Sequence, residues 1–144
     1  MVAVAAVAGQ RVSHGLLASV AGLDDQDLLQ ALRVVVAHQL LVTRPEEDGY
    51  EFRHALLQEV VNSDLLPGER ARLHAAYAHA LTQRPELAGV SSAVRAAELA
   101  IHWEAAGEAT QALPARVQAG LAAERASAFA EADRHYQRAL ALWE

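Results

Sequence analysis

Leu40-Leu41-Val42-Thr43-Arg44-Pro45-Glu46-Glu47-Asp48-Gly49-Tyr50-Glu51-Phe52-Arg53 is the stretch in which the apolar period of this chain turns from helical to strand-like. Leu40-Leu41-Val42-Thr43 and Tyr50-Glu51-Phe52-Arg53 are short strand-like runs. The segment between them has a proline at one end and Asp-Gly at the other, which predicts a β-hairpin. Before it, residues 2–42 read as three short helices. The second starts after Ser13 as N-cap and ends at Gly22. The third has Asp24 at its cap and Asp27 three residues later, placing carboxylates where the helix dipole favours them. Leu28, Leu29, Leu32, Val35, Val36 and Leu40 keep helical spacing on one face, predicted to be buried. Three helices followed by a hairpin is the order of a winged helix, the hairpin being the wing.

After the hairpin, a helix is predicted from near Ala55, with Leu56, Leu57, Val60 and Val61 on one face, broken at Leu66-Pro67-Gly68. Another begins at Glu69 and presents Leu73, Ala76, Tyr77, Ala80 and Leu81. Arg84 to Val90 has the composition of a linker, so residues 84–91 are expected to divide a winged-helix-like domain over 1–83 from a helical segment over 92–144. That segment reads as three helices, at about 92–106, 109–127 and 129–143, whose short connections make them antiparallel neighbours. The last alternates large and small residues at Phe129, Ala132, Tyr136, Ala139, Leu140 and Leu142, the second-helix pattern of a tetratricopeptide repeat (TPR). Gly120 stands where the first helix of such a repeat carries its small residue, while Arg116 and Ala123 occupy places where the pattern prefers aromatics. The expected fold class is mainly α: a winged-helix-like domain with a small β-hairpin, then TPR-like antiparallel helical hairpins, the last repeat incomplete.

Composition narrows the chemistry. The 144 residues carry 12 basic and 18 acidic side chains, for a net charge of −6. Every basic residue is arginine, which removes a Walker-type phosphate loop and Schiff-base lysine chemistry. No cysteine is present, so thiolate catalysis and thiolate metal sites fall as well. The acidic balance argues against a nucleic-acid footprint. Val2 to Gly9 is apolar but lacks a basic n-region and is too short to span a bilayer, so a buried helix is expected there rather than a signal peptide. No other stretch reaches membrane length, and the expected location is the cytoplasm.

Seven histidines invite metal or acid–base readings. His74 and His79 are five apart on one predicted helix and diverge around its axis, and no HExxH or His-x3-His pair occurs. His14, His38, His102 and His135 are scattered one per helix. No GxSxG elbow surrounds any serine, and Glu46-Glu47-Asp48 sits in the predicted turn. No catalytic residue and no metal site is expected.

The runs VAAVAGQRVSHGLLASVAGL, DLLQALRVVVAHQLLV, YEFRHALLQEVVNSDLLPGERARLHAAYAHAL, AELAIHWEAAGEATQAL and AFAEADRHYQRALAL resemble the middle of the large ATP-binding LuxR-type regulators. These MalT-like signal-transduction ATPases of the STAND class share the segment with related bacterial ATPases fused to adenylate-cyclase-type domains. Phe-Arg-His-Ala-Leu-Leu and Leu-Leu-Pro-Gly-Glu-Arg are the most specific parts of the likeness. The resemblance implies a nucleotide-binding domain upstream in the same polypeptide, a winged helix, and a helical-repeat sensor arm that takes in an effector or partner protein. This chain would be a fragment holding only the last two parts. ATP or ADP would belong to the whole polypeptide, with no cofactor held by this chain alone.

Within that resemblance His54 stands out. Phe52-Arg53-His54-Ala55 is similar in context to the Met-His-Asp motif of NB-ARC nucleotide switches, whose histidine senses the bound phosphate at a strand-to-helix junction. Ala55 replaces the aspartate. His54 is therefore the candidate nucleotide sensor and Arg53, able to reach phosphate bidentately, the second candidate. The competing readings are a histidine that caps the helix or packs under the wing, and a surface arginine. Direct DNA reading is disfavoured, because Asp24, Asp25 and Asp27 lead the helix that would enter the groove and only Arg33 and His38 offset them. Trp103, Tyr136 and Trp143 are candidate interaction residues on the repeat arm, against the reading that they fill gaps between alanine-faced helices. The expected function is a non-catalytic regulatory segment. The alternatives are a free-standing helical interaction module and, less favoured, a small DNA-binding protein.

Overall fold

The computed structural model describes residues 1–88 and 91–144. Among them the chain is mainly helical, with eight α-helices and one three-stranded antiparallel sheet. Helix α1 (Val2–Ala8) leads into strand β1 (Arg11–Ser13), followed by α2 (His14–Ala21) and α3 (Asp25–Ala37). The hairpin is β2 (Leu41–Arg44) and β3 (Gly49–Phe52), joined through a 3-10 turn over Pro45–Glu47. Strand β1 was not foreseen. Its three residues are too few to display a period, and Ser13 carried a helix-cap signal instead. The strand pairs with β3, giving the order β1-β3-β2 with Val12 opposite Tyr50.

The caps behave as their side chains dictate. Ser13 Oγ accepts from the Leu16 N–H at 3.2 Å and Asp24 Oδ1 accepts from the Asp27 N–H at 2.9 Å. Gly22 closes α2 with φ 65°, the left-handed conformation that a Cβ penalises. The apolar run at the N-terminus is a helix whose Ala5, Ala6 and Val7 are buried.

Helices α4 (Ala55–Asp64) and α5 (Pro67–Gln83) follow the sheet. Helix α5 starts two residues earlier than Glu69, because a proline suits the first helical position, where no N–H is required. Glu69 instead accepts from the Leu66 N–H at 3.0 Å. Leu56 and Val60, expected on one face of α4 with Leu57 and Val61, point outward, whereas Leu57 and Val61 pack on the core. Leu29 of α3 is likewise exposed.

Among the described residues, the expected linker packs on the first core. Pro85–Ala88 form a 3-10 turn, Leu87 packs on the first core, and Ser13 Oγ donates to the Leu87 carbonyl at 2.7 Å. Gly89 and Val90, within the expected boundary, lie outside the described residues. Beyond it stand α6 (Ser92–Ala105), α7 (Ala109–Arg125) and α8 (Phe129–Trp143). Two apolar clusters result among the described residues. The first is centred on Leu17, Leu28, Leu41, Phe52 and Tyr77; the second joins Ala78, Ala100, Trp103, Ala112, Ala115 and Ala119. Helix α5 contributes to both, Tyr77 to one and Ala78 to the other.

Candidate functional site

The β3–α4 junction is pinned from both sides. The Phe52 N–H donates to the Gln10 carbonyl at 2.9 Å and the Arg53 N–H to the Leu40 carbonyl at 3.1 Å, so the strand end cannot drift. His54 is the N-cap of α4 in an extended conformation, with φ −132° and ψ 130°, and its side chain makes no capping hydrogen bond. Both Arg53 and His54 are exposed. Behind them Gln58 Nε2 donates to the Ala6 carbonyl at 2.6 Å and Gln10 Nε2 to Gln58 Oε1 at 3.2 Å, which fastens α4 to α1. The outward face of the helix is apolar: Leu56 is 72% exposed and Val60 61%. Arg53, His54, Leu56 and Val60 thus form an open strip in which two groups able to bind an anion stand beside apolar surface.

The three aromatic candidates on the arm are not brought together in one site. Trp103 is buried, 6% exposed, in the second cluster, and meets His79 edge-on with ring centroids 4.8 Å apart. Tyr136 is half-buried against Gly120, where a Cβ would stand 2.7 Å from the ring Cζ. Trp143 is 79% exposed, next to a shallow groove that also involves Leu113 and Pro114. Phe129 and Leu140 on the same helix are exposed too.

Several polar constellations escaped the sequence. Glu104 of α6 receives Arg116 of α7, whose Nε and Nη2 both lie 2.9 Å from Oε2, and Arg138 of α8 at its other oxygen. Burial alone would raise the Glu104 carboxyl, but the hydrogen bonds from Arg138 and Arg116 outweigh it and hold the group below its ordinary range. Arg116 also donates from Nη1 to His135 Nδ1 at 3.1 Å, so His135 must be neutral there; burial and the Arg116 charge lower its pKa. Arg116, expected only as a departure from a repeat pattern, thus ties three helices together.

The histidines expected to be scattered are partly paired. His74 and His102 meet with their Nδ1 atoms 2.8 Å apart, and His14 Nδ1 lies 2.9 Å from the Tyr50 hydroxyl. Their partners are 28 and 36 residues away, beyond any spacing rule. Among the described residues no group of three or more His, Cys, Asp or Glu side chains is placed to hold a metal ion. A cleft of about 820 Å³ opens between β1, the hairpin connection and α6, with Arg11, Glu47, Tyr50, Glu98 and His102 in its walls. Arg53 and His54 lie outside it. Among the described residues no helix is long and apolar enough to cross a membrane.

No family model matches the chain, and no solved structure matches it. An uncharacterized protein of Rhizobium meliloti is 30% identical over 141 residues, which is 96% of this chain and 13% of that protein. The chain therefore spans about an eighth of the length of the curated relative it matches.

Proposed function

We propose that this chain is a non-catalytic regulatory segment in which a winged helix docks on a nucleotide-binding domain and passes its state to a TPR-like helical arm. The observation that carries the reading is the open strip of Arg53, His54, Leu56 and Val60, presented by a junction that the rest of the domain holds fixed. The element order α1-β1-α2-α3-β2-β3 with sheet order β1-β3-β2 supports the winged-helix assignment. The antiparallel trio α6–α8, with Gly120 facing Tyr136, supports the repeat-like one. In the Rhizobium relative the matched segment is one part of a far longer polypeptide, which favours a module over a self-sufficient enzyme.

In this reading His54 and Arg53 face the phosphate of ATP or ADP held by the partner domain. Leu56 and Val60 supply the apolar contact, and the expected location is the cytoplasm. The acidic first turn of α3, with Asp24, Asp25 and Asp27 all exposed, supports a docking rather than a DNA-reading role. An in-frame ATPase-coding segment upstream is the expected genetic context, and a native start codon at Met1 under its own promoter would overturn the reading. In the joined polypeptide, His54→Ala is expected to change nucleotide retention, measured by filter binding. Unchanged retention reduces the histidine to an exposed surface residue.

The exposed Trp143, with Phe129 and Leu140 on the same helix, favours a second role for the arm, the capture of an effector or partner protein. Trp143→Ala should weaken that capture without altering the fold.

A further inference from the structure

His74 and His102 meet where α5, the last helix of the first apolar cluster, crosses α6, the first helix of the arm. Their Nδ1 atoms are 2.8 Å apart and their rings 5.0 Å apart, tilted by 47°. The His102 ring also stacks on Tyr77 at 5.2 Å, and the Tyr77 hydroxyl donates to the Val4 carbonyl of α1 at 2.7 Å. The pair thus lies at the centre of a seam that reaches from α1 to α6.

A nitrogen-to-nitrogen contact of this length requires one proton between the two Nδ1 atoms. One imidazole donates and the other keeps its Nδ1 lone pair. A first added proton enters at the donor ring's Nε2, leaves the hydrogen bond in place and makes it charge-assisted. A second has only the acceptor's Nδ1 to bind, where it destroys the hydrogen bond and sets two buried cations against each other. We propose that this pair is a proton-operated latch on the α5–α6 interface, closed with at most one added proton and opened by the second.

Most charged groups around the pair are cations or are engaged elsewhere. On α5, Arg70 is another cation one turn before His74, and His79 is turned to Trp103. On α6, Glu98, four residues before His102 and in the wall of the same cleft, has its carboxyl pKa raised by burial; Arg95 reaches the Pro85 carbonyl. From α7, Arg116 is held by Glu104. Helix α1 has no ionisable side chain and α2 has only His14, bonded to Tyr50. Arg11 of β1 is engaged by Glu47 and Glu51, while Glu46, Asp48 and Glu86 are exposed to solvent.

Burial, reinforced by the His74 charge, brings the His102 pKa down to about 4; burial, reinforced by Arg70, lowers that of His74. The unfolded chain therefore binds these protons more readily than the folded one. The interface is at full strength above the ordinary imidazole value and weakens as pH falls from there towards 4. For His102 alone, the ratio of folded to unfolded molecules drops about twentyfold between pH 7 and pH 5.

The test is hydrogen–deuterium exchange on the whole chain at pH 7.5, 6 and 5, with intrinsic exchange rates divided out. Wild-type protection of α5 and α6 amides is expected to fall about tenfold or more by pH 5. The His74→Gln/His102→Gln variant, which keeps a donor and an acceptor but cannot charge, should hold its protection. His135→Gln, which removes the other buried histidine of the arm, should leave the α5–α6 response in place. Constant wild-type protection, or an undiminished response in the double variant, overturns the proposal. Imidazole titration of the wild-type chain by NMR gives a second reading that needs no variant. One ring should titrate with α6 still protected and the other only as protection is lost; two independent titrations with α6 protected throughout overturn the latch.

Discussion

Leu17, Leu28, Leu41 and Tyr77 fill the first cluster with large side chains, each fully buried, whereas the second is walled by Ala78, Ala100, Ala112, Ala115 and Ala119 around one large group, Trp103. Burying a leucine removes several times more apolar area from water than burying an alanine, so the two regions are held differently. In α1–α5 cohesion comes from volume. In α6–α8 it comes from close helix approach, one indole, and the Glu104 carboxylate gripping Arg116 and Arg138. Small residues gain contact only when neighbouring backbones come close, and a single polar tie across three helices fixes the register at which they do.

The sharpest way to break this contrast is Trp103→Ala, expected to cost about 3–5 kcal/mol in chemical denaturation. Hydrogen exchange should show the loss centred on α6 and α7; equal loss in α1–α3 would mean that the two clusters unfold as one. Leu17→Ala is the counterpart in the first cluster, at about 2–5 kcal/mol, with its loss centred on α1–α3. Next comes Glu104→Gln, which leaves the Arg116 and Arg138 guanidiniums without their anion and should cost about 1–3 kcal/mol. If denaturant midpoints barely move, the alanine packing holds the arm unaided. Gly120→Ala forces the Tyr136 ring aside, at about 1–3 kcal/mol where the ring resists and less where it swings into solvent. Near-UV circular dichroism of the tyrosine band separates those outcomes.

The smallest effect is expected to be a gain. Ser127 at the α7–α8 corner adopts φ 60°, the same left-handed turn that Gly107 makes between α6 and α7 with φ 79°. At both corners the backbone bonds repeat, Gly107 N–H to Glu104 O and Ser127 N–H to Glu124 O. Ser127→Gly relieves the Cβ strain and should stabilise the hairpin by about 0.5–1 kcal/mol, read from the shift in thermal midpoint.

Local chemistry was legible. Ser13, Gly22 and Asp24 end or begin helices because their side chains, or the lack of one, satisfy backbone groups within three residues. The hairpin and the three helices of the arm were readable for the same reason, since proline, Asp-Gly and the short corners act on the residues beside them. Long-range choices were not. Strand β1 exists only because β3 offers it a partner, and Leu56 and Val60 face outward because Leu57 and Val61 took the core side of α4. Of the candidate site residues, Arg53 and His54 stand exposed where β3 meets α4, while the surroundings of Trp103 and Trp143 had to come from packing.

The sequence by itself determined the order of the helices and the hairpin, the caps at Ser13, Gly22 and Asp24, and the chemistry excluded by having neither lysine nor cysteine, since those properties depend on single residues and near neighbours. Tertiary structure alone decided which of seven histidines would meet, that Glu104 would bind two arginines from two other helices, and which apolar faces would stay open. Such pairings depend on how helices dozens of residues apart cross. That geometry is set by the summed packing of the whole chain, which no local period encodes.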